Sequence, residues 1–331
     1  MRAGAGNLGH DPNAVAVATE LFNRGVRLAA QNRSEEAIAA YDEVVEVFGT
    51  ASEFVLRETV AAALFNKAMR LGALGRFGDQ IAVFDELIRR FEAAPELDLR
   101  QHVATAMVNK GAPLDALGRA VEAIAAYDLA IQRFGAAPEP TLRAQAAKAL
   151  FNKAVQLGGL GRPAEEIHAY SAVVERFGDA SDAAQREMVA RSLFNIAVNY
   201  EALNEPEKAI AVYGSVAERF GGDSELVLRH VVAQALFNQG VTLAGLSRAE
   251  AAVVAYDEVI RRFGSATEPP LREQVAVALY NKAGRLGILG RLKEALVACD
   301  DLLARISSEP ALAHLEAGAK KLRDVVVSRL G

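Results

Sequence analysis

The stretch Phe151-Asn152-Lys153-Ala154 decides the fold, because its asparagine returns at one fixed interval along the chain. Copies separated by 43 residues, with no insertion or deletion between them, stand at Asn23, Asn66, Asn109, Asn152, Asn195, Asn238 and Asn281. A period between roughly 20 and 50 residues is typical of repeats that stack on one another. The sequence therefore predicts one array of seven repeats over residues 12–306, although a chain of 331 residues would ordinarily form two domains.

The composition indicates a folded chain whose charges are evenly mixed. The residues AVILMFWYC make up 51% of the sequence and charged residues 24%, which is the balance of a chain that can bury a core. The net charge of −5 comes from 37 basic and 42 acidic residues, and both signs occur within every repeat. Because no basic stripe is present to neutralise phosphates, we expect no nucleic-acid partner.

The single cysteine and the absence of long apolar runs indicate where in the cell the protein is expected. Cys299 stands where the other six repeats carry Tyr or Phe, so we expect it to fill an apolar slot. One cysteine permits no disulfide within the chain. The sequence has no apolar signal segment near Met1 and no unbroken apolar run of about 18 residues. We therefore expect a cytoplasmic protein with no membrane partner.

No sequence motif indicates catalysis or cofactor binding. Residues 1–11 are Gly-rich, polar and aperiodic, and we expect a disordered leader there. Gly4, Gly6 and Gly9 form a literal G-x-G-x-x-G, but no strand precedes them, as a dinucleotide site requires. The five histidines are dispersed, and HExxH, P-loop and nucleophile-elbow motifs do not occur. We expect no metal, no cofactor and no enzymatic activity.

Each repeat divides into two helical patterns, here called helix A and helix B. In helix B of the first repeat, apolar residues recur on one face at Ala37, Ile38, Tyr41, Val44, Val45 and Phe48. We expect Ser34 to cap the start of this helix. In five repeats a glycine follows the last phenylalanine of helix B, and we expect it to end the helix in the left-handed conformation.

The apolar residues of helix A lie opposite the repeated asparagine. At about 100° per residue, the leucines two before and five after it, and the small residue two after it, fall near 140° to 200°. These positions form a packing face, and the asparagine points the other way. The arginines nine residues before the asparagine share the packing face, so we expect them to pair with helix B aspartates such as Asp42, Asp85 and Asp128.

This pattern resembles the tetratricopeptide repeat, a helix-turn-helix of about 34 residues with a small residue and a closing glycine in helix A. The fourth repeat shows the pattern as Ala154, Gly161 and Tyr170, and the fifth repeat supplies Ala209 and Tyr213. The extra length falls at the start of helix A, as in the longer repeats of kinesin light chain. The sequence departs from the pattern where Gln80 and Glu166 occupy the alanine slot of helix B.

The resemblance implies an all-α, right-handed α-solenoid (superhelix) of seven such repeats, closed by a C-terminal capping helix over residues 307–331. It also implies that the A helices line a concave groove and that the repeated asparagines face it. In related proteins an asparagine ladder holds the backbone of an extended peptide. The alternative is that each asparagine bonds a neighbouring A helix and fixes the stacking of the repeats; the two roles are compatible.

Basic residues next to the asparagines complete the candidate peptide-binding set. Lys67 and Lys153 directly follow their asparagines, as do Lys110 and Lys282. They either bind an acidic partner, as the resemblance to carboxylate-clamp repeats implies, or are surface lysines with buried stems. Arg191, four residues before Asn195, shares the face of the asparagine.

The third repeat is irregular. Pro113 falls four residues after Asn109, in the middle of helix A, where it removes an amide and its ring clashes with the preceding turn. The sequence predicts a kink or break there, which is either a hinge or a tolerated irregularity.

The sequence as a whole favours a non-catalytic scaffold that binds a protein or extended peptide in its groove. The alternative is a regulatory, sensor or self-association module that acts with a separate effector, in which the asparagines are structural and the ends of the array permit a homo-oligomer.

Overall fold

The computed structural model describes residues 13–330, so the predicted leader lies outside the described residues. These residues form helices joined by short turns, with no strand anywhere in that range. They divide into two compact units, one extending to Arg162 and the other beginning at Pro163. The predicted all-α class is confirmed, whereas the boundaries proposed for one array and its cap stay a prediction.

The first unit is a succession of helix pairs. Its helices are α1 (Ala14–Ala30), α2 (Ser34–Phe48), α3 (Phe54–Ala73), α4 (Phe77–Phe91), α5 (Leu97–Asn109), α6 (Gly111–Ala116), α7 (Ala120–Phe134) and α8 (Pro140–Gly159). Helix α3 packs between the B helices α2 and α4, and neighbouring A helices also touch. The B helices are α2, α4 and α7, and the others are A helices or parts of one.

The second unit repeats the same packing. Helices α10, α12 and α14 are A helices, and each contacts the B helix before it and the B helix after it. The helices are α9 (Pro163–Phe177), α10 (Ala183–Ala202), α11 (Pro206–Phe220), α12 (Leu226–Gly245), α13 (Ala249–Phe263), α14 (Pro269–Ile288), α15 (Leu292–Ser308) and α16 (Glu316–Leu330). Each unit is therefore an α-solenoid.

The packing face predicted for helix A is buried. Leu64 and Leu71 of α3 have 0% and 1% of their surface exposed. The small residue two after the asparagine faces the tyrosine of its own hairpin: a Cβ added at Gly25 would lie 2.5 Å from Tyr41 Cε1. At Gly25 only glycine leaves room for this approach of the two helices. Cys299 is fully buried, as expected of an apolar slot.

The left-handed residues do not lie where the sequence predicted them. They end helix A instead of helix B, at Gly75, Gly118, Gly161 and Gly290, and in other repeats at Asn32, Asn204 and Ser247. The glycines after helix B keep right-handed backbone, with φ of −61° at Gly49 and −67° at Gly221. Ser34 is the first residue of α2 and makes no cap; Arg33 occupies the cap position.

An arginine of the next repeat crosses the glycine after helix B in several repeats. Arg90 donates to the Gly49 carbonyl oxygen at 3.2 Å, and Arg305 donates to that of Gly264 at 3.0 Å. A Cβ at Gly49 would lie 2.7 Å from Arg90 Nη1. The physical reason for the glycine is therefore close approach between repeats and not left-handed geometry.

The third A helix is broken as predicted. Helix α5 ends at Asn109 and α6 begins at Gly111, with Pro113 buried inside the short α6. This break gives the described residues sixteen α-helices instead of about fifteen. Its role as a hinge stays a prediction.

The chain after α15 covers the last helix pair of the second unit. A 3-10 helix (Pro310–Leu315) and α16 both pack against α15, and α16 also contacts α14. Leu312 and Val326 are buried there, 3% and 2% exposed. Arg329 Nη1 donates to the Gly287 carbonyl oxygen at 2.9 Å. Helix α16 therefore caps this end of the unit in the way that a further A helix would.

Candidate functional site

The repeated asparagines lie where an A helix meets the preceding B helix. Asn195 Nδ2 donates to the Tyr170 hydroxyl at 2.9 Å, and Asn238 Nδ2 donates to the Tyr213 hydroxyl at 3.3 Å. In the first unit, Asn66 and Asn152 act on the hydroxyls of Tyr41 and Tyr127 in the same register and lower the pKa of these tyrosines against the effect of burial. The partner of these carboxamides is thus a tyrosine of helix B and not a neighbouring A helix.

The remaining asparagines have different surroundings. In the register that pairs with Asn109, α4 carries Phe84, which has no hydroxyl to offer. Asn23 is exposed in α1, which no B helix precedes among the described residues. Asn281 is half-buried in α14, as are the asparagines bonded to tyrosine.

Burial keeps the tyrosine hydroxyls protonated. It raises the pKa of Tyr170 to about 12, and it also raises the pKa of Tyr213, Tyr41 and Tyr127. Each hydroxyl accepts one N–H of its asparagine. A carboxamide has a second N–H and an oxygen with two lone pairs, so the tyrosine fixes its orientation and leaves a donor and an acceptor.

Exposed apolar side chains accompany the asparagines. The residue three after each asparagine lies about one turn along the same side of the helix. These residues are Val26, Met69 and Val155 in the first unit and Val198 and Val241 in the second, and each is 38–47% exposed. In each unit, we call the surface formed by its repeated asparagines and these exposed side chains the asparagine face of that unit. It combines apolar contact area with oriented carboxamides.

The candidate lysines are held by aspartates of the preceding B helix. Lys153 Nζ lies 2.6 Å from Asp128 Oδ1, Lys110 lies 2.5 Å from Asp85, and Lys67 pairs with Asp42. Each aspartate directly follows the helix B tyrosine or phenylalanine that faces the repeated asparagine. The lysine and the asparagine of one repeat therefore bind neighbouring residues of one B helix.

The arginine partners predicted from the sequence were wrong. Arg57 pairs with Glu96 at 2.5 Å and Arg100 with Glu139 at 2.6 Å. These glutamates stand at the start of the next A helix, because an arginine near the beginning of one A helix reaches the beginning of its neighbour. Asp42, Asp85 and Asp128 are instead taken by the lysines.

Arg191 remains near the asparagine face. Its side chain is 51% exposed, and Nε lies 2.7 Å from Glu187 Oε1, one turn earlier in α10. An exposed pair of this kind is weak and rearranges readily. Arg191 is thus brought to the surface beside Asn195, whereas Lys67 and Lys153 are tied to their own repeat array.

A polar cluster beside Asn238 was missed by the sequence analysis. The Tyr213 hydroxyl donates to Glu201 Oε2 at 3.1 Å, and the Thr242 hydroxyl contacts Glu201 Oε1. Thr242 Oγ1 also lies 2.9 Å from the Asn238 carbonyl oxygen. The available signal was that Glu201 occupies a register that is glycine in three other repeats, at Gly72, Gly158 and Gly287.

Glu166 is the second carboxylate of this kind. It occupies the alanine slot of α9 and hydrogen-bonds Asn199 of α10, and burial raises its pKa. Asn199 Nδ2 in turn donates to the Asn195 carbonyl oxygen at 3.0 Å. The replacement of the usual alanine by Glu166 therefore creates a polar contact next to Asn195.

Comparisons with known proteins agree with this geometry. A family model described as tetratricopeptide repeat matches residues 191–222, which run from α10 into α11. These residues are similar to a single tetratricopeptide repeat. No curated protein sequence matches the chain.

Solved structures of similar fold match nearly all of this chain. The apo form of RapI is 14% identical with a TM-score of 0.58, covering 95% of this chain and 86% of that one. The C-terminal part of a TPR repeat-containing protein from Cytophaga hutchinsonii is 14% identical with a TM-score of 0.59, covering 88% and 98%. At these identities the likeness concerns the fold.

A longer structural neighbour contains the same kind of fold as one part. It is a signal-transduction ATPase with numerous domains from Pyrococcus horikoshii, which carries a tetratricopeptide repeat sensor. The two chains are 14% identical with a TM-score of 0.58, over 93% of this chain and 44% of that one.

The described residues offer few other candidate sites. Within residues 13–330, no three His, Cys, Asp or Glu side chains come together as a metal would need. Over the same residues, every helix is too short or too polar to span a bilayer. A cavity of about 300 Å³ lies against α13, α14 and α15, lined by Ile260, Leu279, Lys282, Lys293, Glu294, Val297, Ala298 and Asp301.

Proposed function

We propose that this protein is a non-catalytic tetratricopeptide-repeat scaffold that binds an extended segment of a partner protein on an asparagine face. The carboxamides hold the backbone of the segment, and the exposed valines and Met69 contact its apolar side chains. The observation that carries the proposal is the anchoring of two carboxamides by buried tyrosines, Asn195 by Tyr170 and Asn238 by Tyr213.

Anchoring favours binding because it removes rotamer freedom before the ligand arrives. Ordering a polar side chain at an interface costs about 0.5–1.5 kcal/mol. A carboxamide already fixed by a tyrosine hydroxyl avoids most of that cost. Its free oxygen and N–H match the N–H and C=O of a peptide unit and do not read the side chains of the ligand.

The spacing of the A helices suits an extended chain. Within the second unit α10 contacts α12, and α12 contacts α14. Packed helices lie about 8–10 Å apart, and an extended chain advances about 3.3 Å per residue. One carboxamide would therefore meet about every third residue of the bound segment.

The test replaces Asn152, Asn195 and Asn238 together by alanine. The probe is a cellulose-bound array of random 12-residue peptides, read with labelled protein, and the melting temperature is measured on the same preparation. The matched control is Gln132→Ala, which removes an exposed carboxamide from a B helix.

We expect the triple variant to lose peptide binding while it stays folded. Each substitution removes a hydrogen bond worth about 1 kcal/mol but replaces asparagine with a residue that favours helix by about 0.6 kcal/mol. The control should bind as the wild type does. Unchanged binding by the folded triple variant would refute the proposal.

A second candidate function is self-association or docking onto a separate effector through the B helices. The observation that favours it is the exposure of Val254 on α13 and Val297 on α15, 68% and 70%. They stand one repeat apart at the same register, and Val297 lines the cavity against α13, α14 and α15. Light scattering of wild type and of Val254→Glu with Val297→Glu tests this candidate: a larger mass that the double variant loses supports it.

A further inference from the structure

Two carboxylates beside the asparagine face of the second unit have only neutral partners. Glu201 accepts hydrogen bonds from the hydroxyls of Tyr213 and Thr242, and Glu166 hydrogen-bonds the carboxamide of Asn199. Among the described residues no lysine or arginine pairs with either. A half-buried carboxylate gains most from a cation, because the attraction is screened less than at an open surface.

Carboxylates at comparable depth elsewhere in this chain are neutralised by the chain itself. Glu96 and Glu139 receive arginines of the preceding A helix, and Asp223 of the second unit is paired with Arg186 at 2.6 Å. The side chain of Asp223 is 19% exposed. The chain thus routinely supplies a cation to a carboxylate between repeats, and Glu166 and Glu201 depart from that pattern.

The register beside the tyrosine explains the departure. The residue four after the asparagine is Arg70 in α3 and Arg285 in α14, and these cations lower the pKa of Tyr41 and Tyr256 against the effect of burial. In α10 and α12 the same register carries neutral residues, Asn199 and Thr242. In these two helices, which lack an arginine four residues after the asparagine, a carboxylate lies near the tyrosine.

Glu201 is linked directly to a carboxamide of the asparagine face. Asn238 donates to the Tyr213 hydroxyl, which donates to Glu201 Oε2. Glu201 is half-buried and therefore reachable, and a carboxylate has about four acceptor positions, of which the two hydroxyls use two. Val198 lies three residues before Glu201 on α10, so the two side chains are neighbours on that helix.

We propose that the asparagine face of the second unit takes an extended segment bearing lysine or arginine, and that Glu201 binds the cationic head. The aliphatic stem of the ligand side chain lies on Val198 and Val241, in the way that such stems cover apolar surface. Glu166 adds a second negative charge beside Asn195. The inference rests on the proposed function and adds the charge of the ligand to it.

The test uses peptide sets that differ only in charge. A cellulose-bound array carries many apolar 12-residue frameworks, each in three versions with two lysines, two serines or two glutamates. The full chain is compared with Glu201→Gln, which keeps an acceptor and the size of the side chain. The matched control is Glu218→Gln, which removes an exposed carboxylate from α11, and melting temperatures verify that each variant is folded.

We expect the wild type to bind lysine versions about tenfold more tightly than serine versions, which is the effect of one charge-assisted hydrogen bond. Glu201→Gln should abolish this preference and Glu218→Gln should retain it. A preference that persists in folded Glu201→Gln overturns the inference. Equal binding of all three versions by the wild type also overturns it and leaves the proposed function standing, whereas binding of no peptide overturns the proposed function itself.

Discussion

Removing one hydroxyl, in Tyr213→Phe, tests the polar cluster that orients Asn238. Tyr213 is fully buried, and its hydroxyl accepts from Asn238 at 3.3 Å and donates to Glu201 at 3.1 Å. The variant keeps the ring and its packing. A phenylalanine already occupies this register at Phe84, which is also fully buried, so the substitution creates no steric conflict.

The magnitude follows from the two bonds that are lost. A neutral hydrogen bond contributes about 1 kcal/mol and one to a charged group about 1.5–3 kcal/mol. Glu201 keeps Thr242, and Asn238 can turn to water, so part of the loss is recovered. We expect Tyr213→Phe to lower the free energy of unfolding by about 2 kcal/mol, and Tyr41→Phe, which breaks the bond to Asn66, by about 1 kcal/mol.

The assay is urea unfolding followed by far-UV circular dichroism, with amide hydrogen exchange to locate the effect in α11 and α12. Exchange matters because repeat arrays unfold by parts, which weakens a two-state treatment. A double-mutant cycle with Glu201→Gln isolates the bond between Tyr213 and the carboxylate. Equal losses for Tyr213→Phe and Tyr41→Phe, together with no coupling in the cycle, would refute the reasoning.

Three further predictions concern glycine and pH. Gly111→Ala should destabilise the chain by about 1–3 kcal/mol, since its Cβ would overlap the Tyr127 hydroxyl; thermal unfolding that shows no loss would contradict this. Gly284→Ala, inside α14 with no atom within 4 Å of its Cβ, should stabilise by about 0.5–1 kcal/mol in the same assay. Hydrogen bonds from two arginines lower the pKa of Glu258 from 4.5 to about 2, so its contribution of about 1 kcal/mol is present above pH 4.5 and is lost as the pH falls through 2. Wild type and Glu258→Gln should therefore converge in stability over that interval, and a constant difference would argue against the ion pair.

The period of the repeats and the directions of side chains on each helix could be predicted from sequence. Counting residues located helix A, its buried leucines and the break at Pro113. The angle of a side chain about its own helix does not say which neighbour fills the space it points to. The asparagine of helix A lies opposite the leucines, yet it still meets the tyrosine of the preceding helix B.

Partners in the repeat array depended on offsets between helices that sequence alone does not provide. Lys153 and Arg143 stand ten residues apart on α8, and both are cations for which Asp128 was a possible partner. The lysine reaches it because Asp128 directly follows Tyr127, the partner of Asn152. Likewise the sequence predicted that Gly49 ends helix B in the left-handed conformation. The structure shows instead that Arg90 of the next repeat donates to its carbonyl oxygen.

Similar contacts join each repeat to the next. Arg219 donates to the Gly178 carbonyl oxygen, and Arg262 one repeat later donates to that of Ala217. Excision of residues 206–248, one period of 43, would bring Arg262 into the position of Arg219 and Tyr256 into that of Tyr213. The apolar packing would keep its register, so the chain can change its length in whole repeats, by duplication or loss. The charge pairs at the new junction would differ, because Arg186 would face Ala266 in place of Asp223.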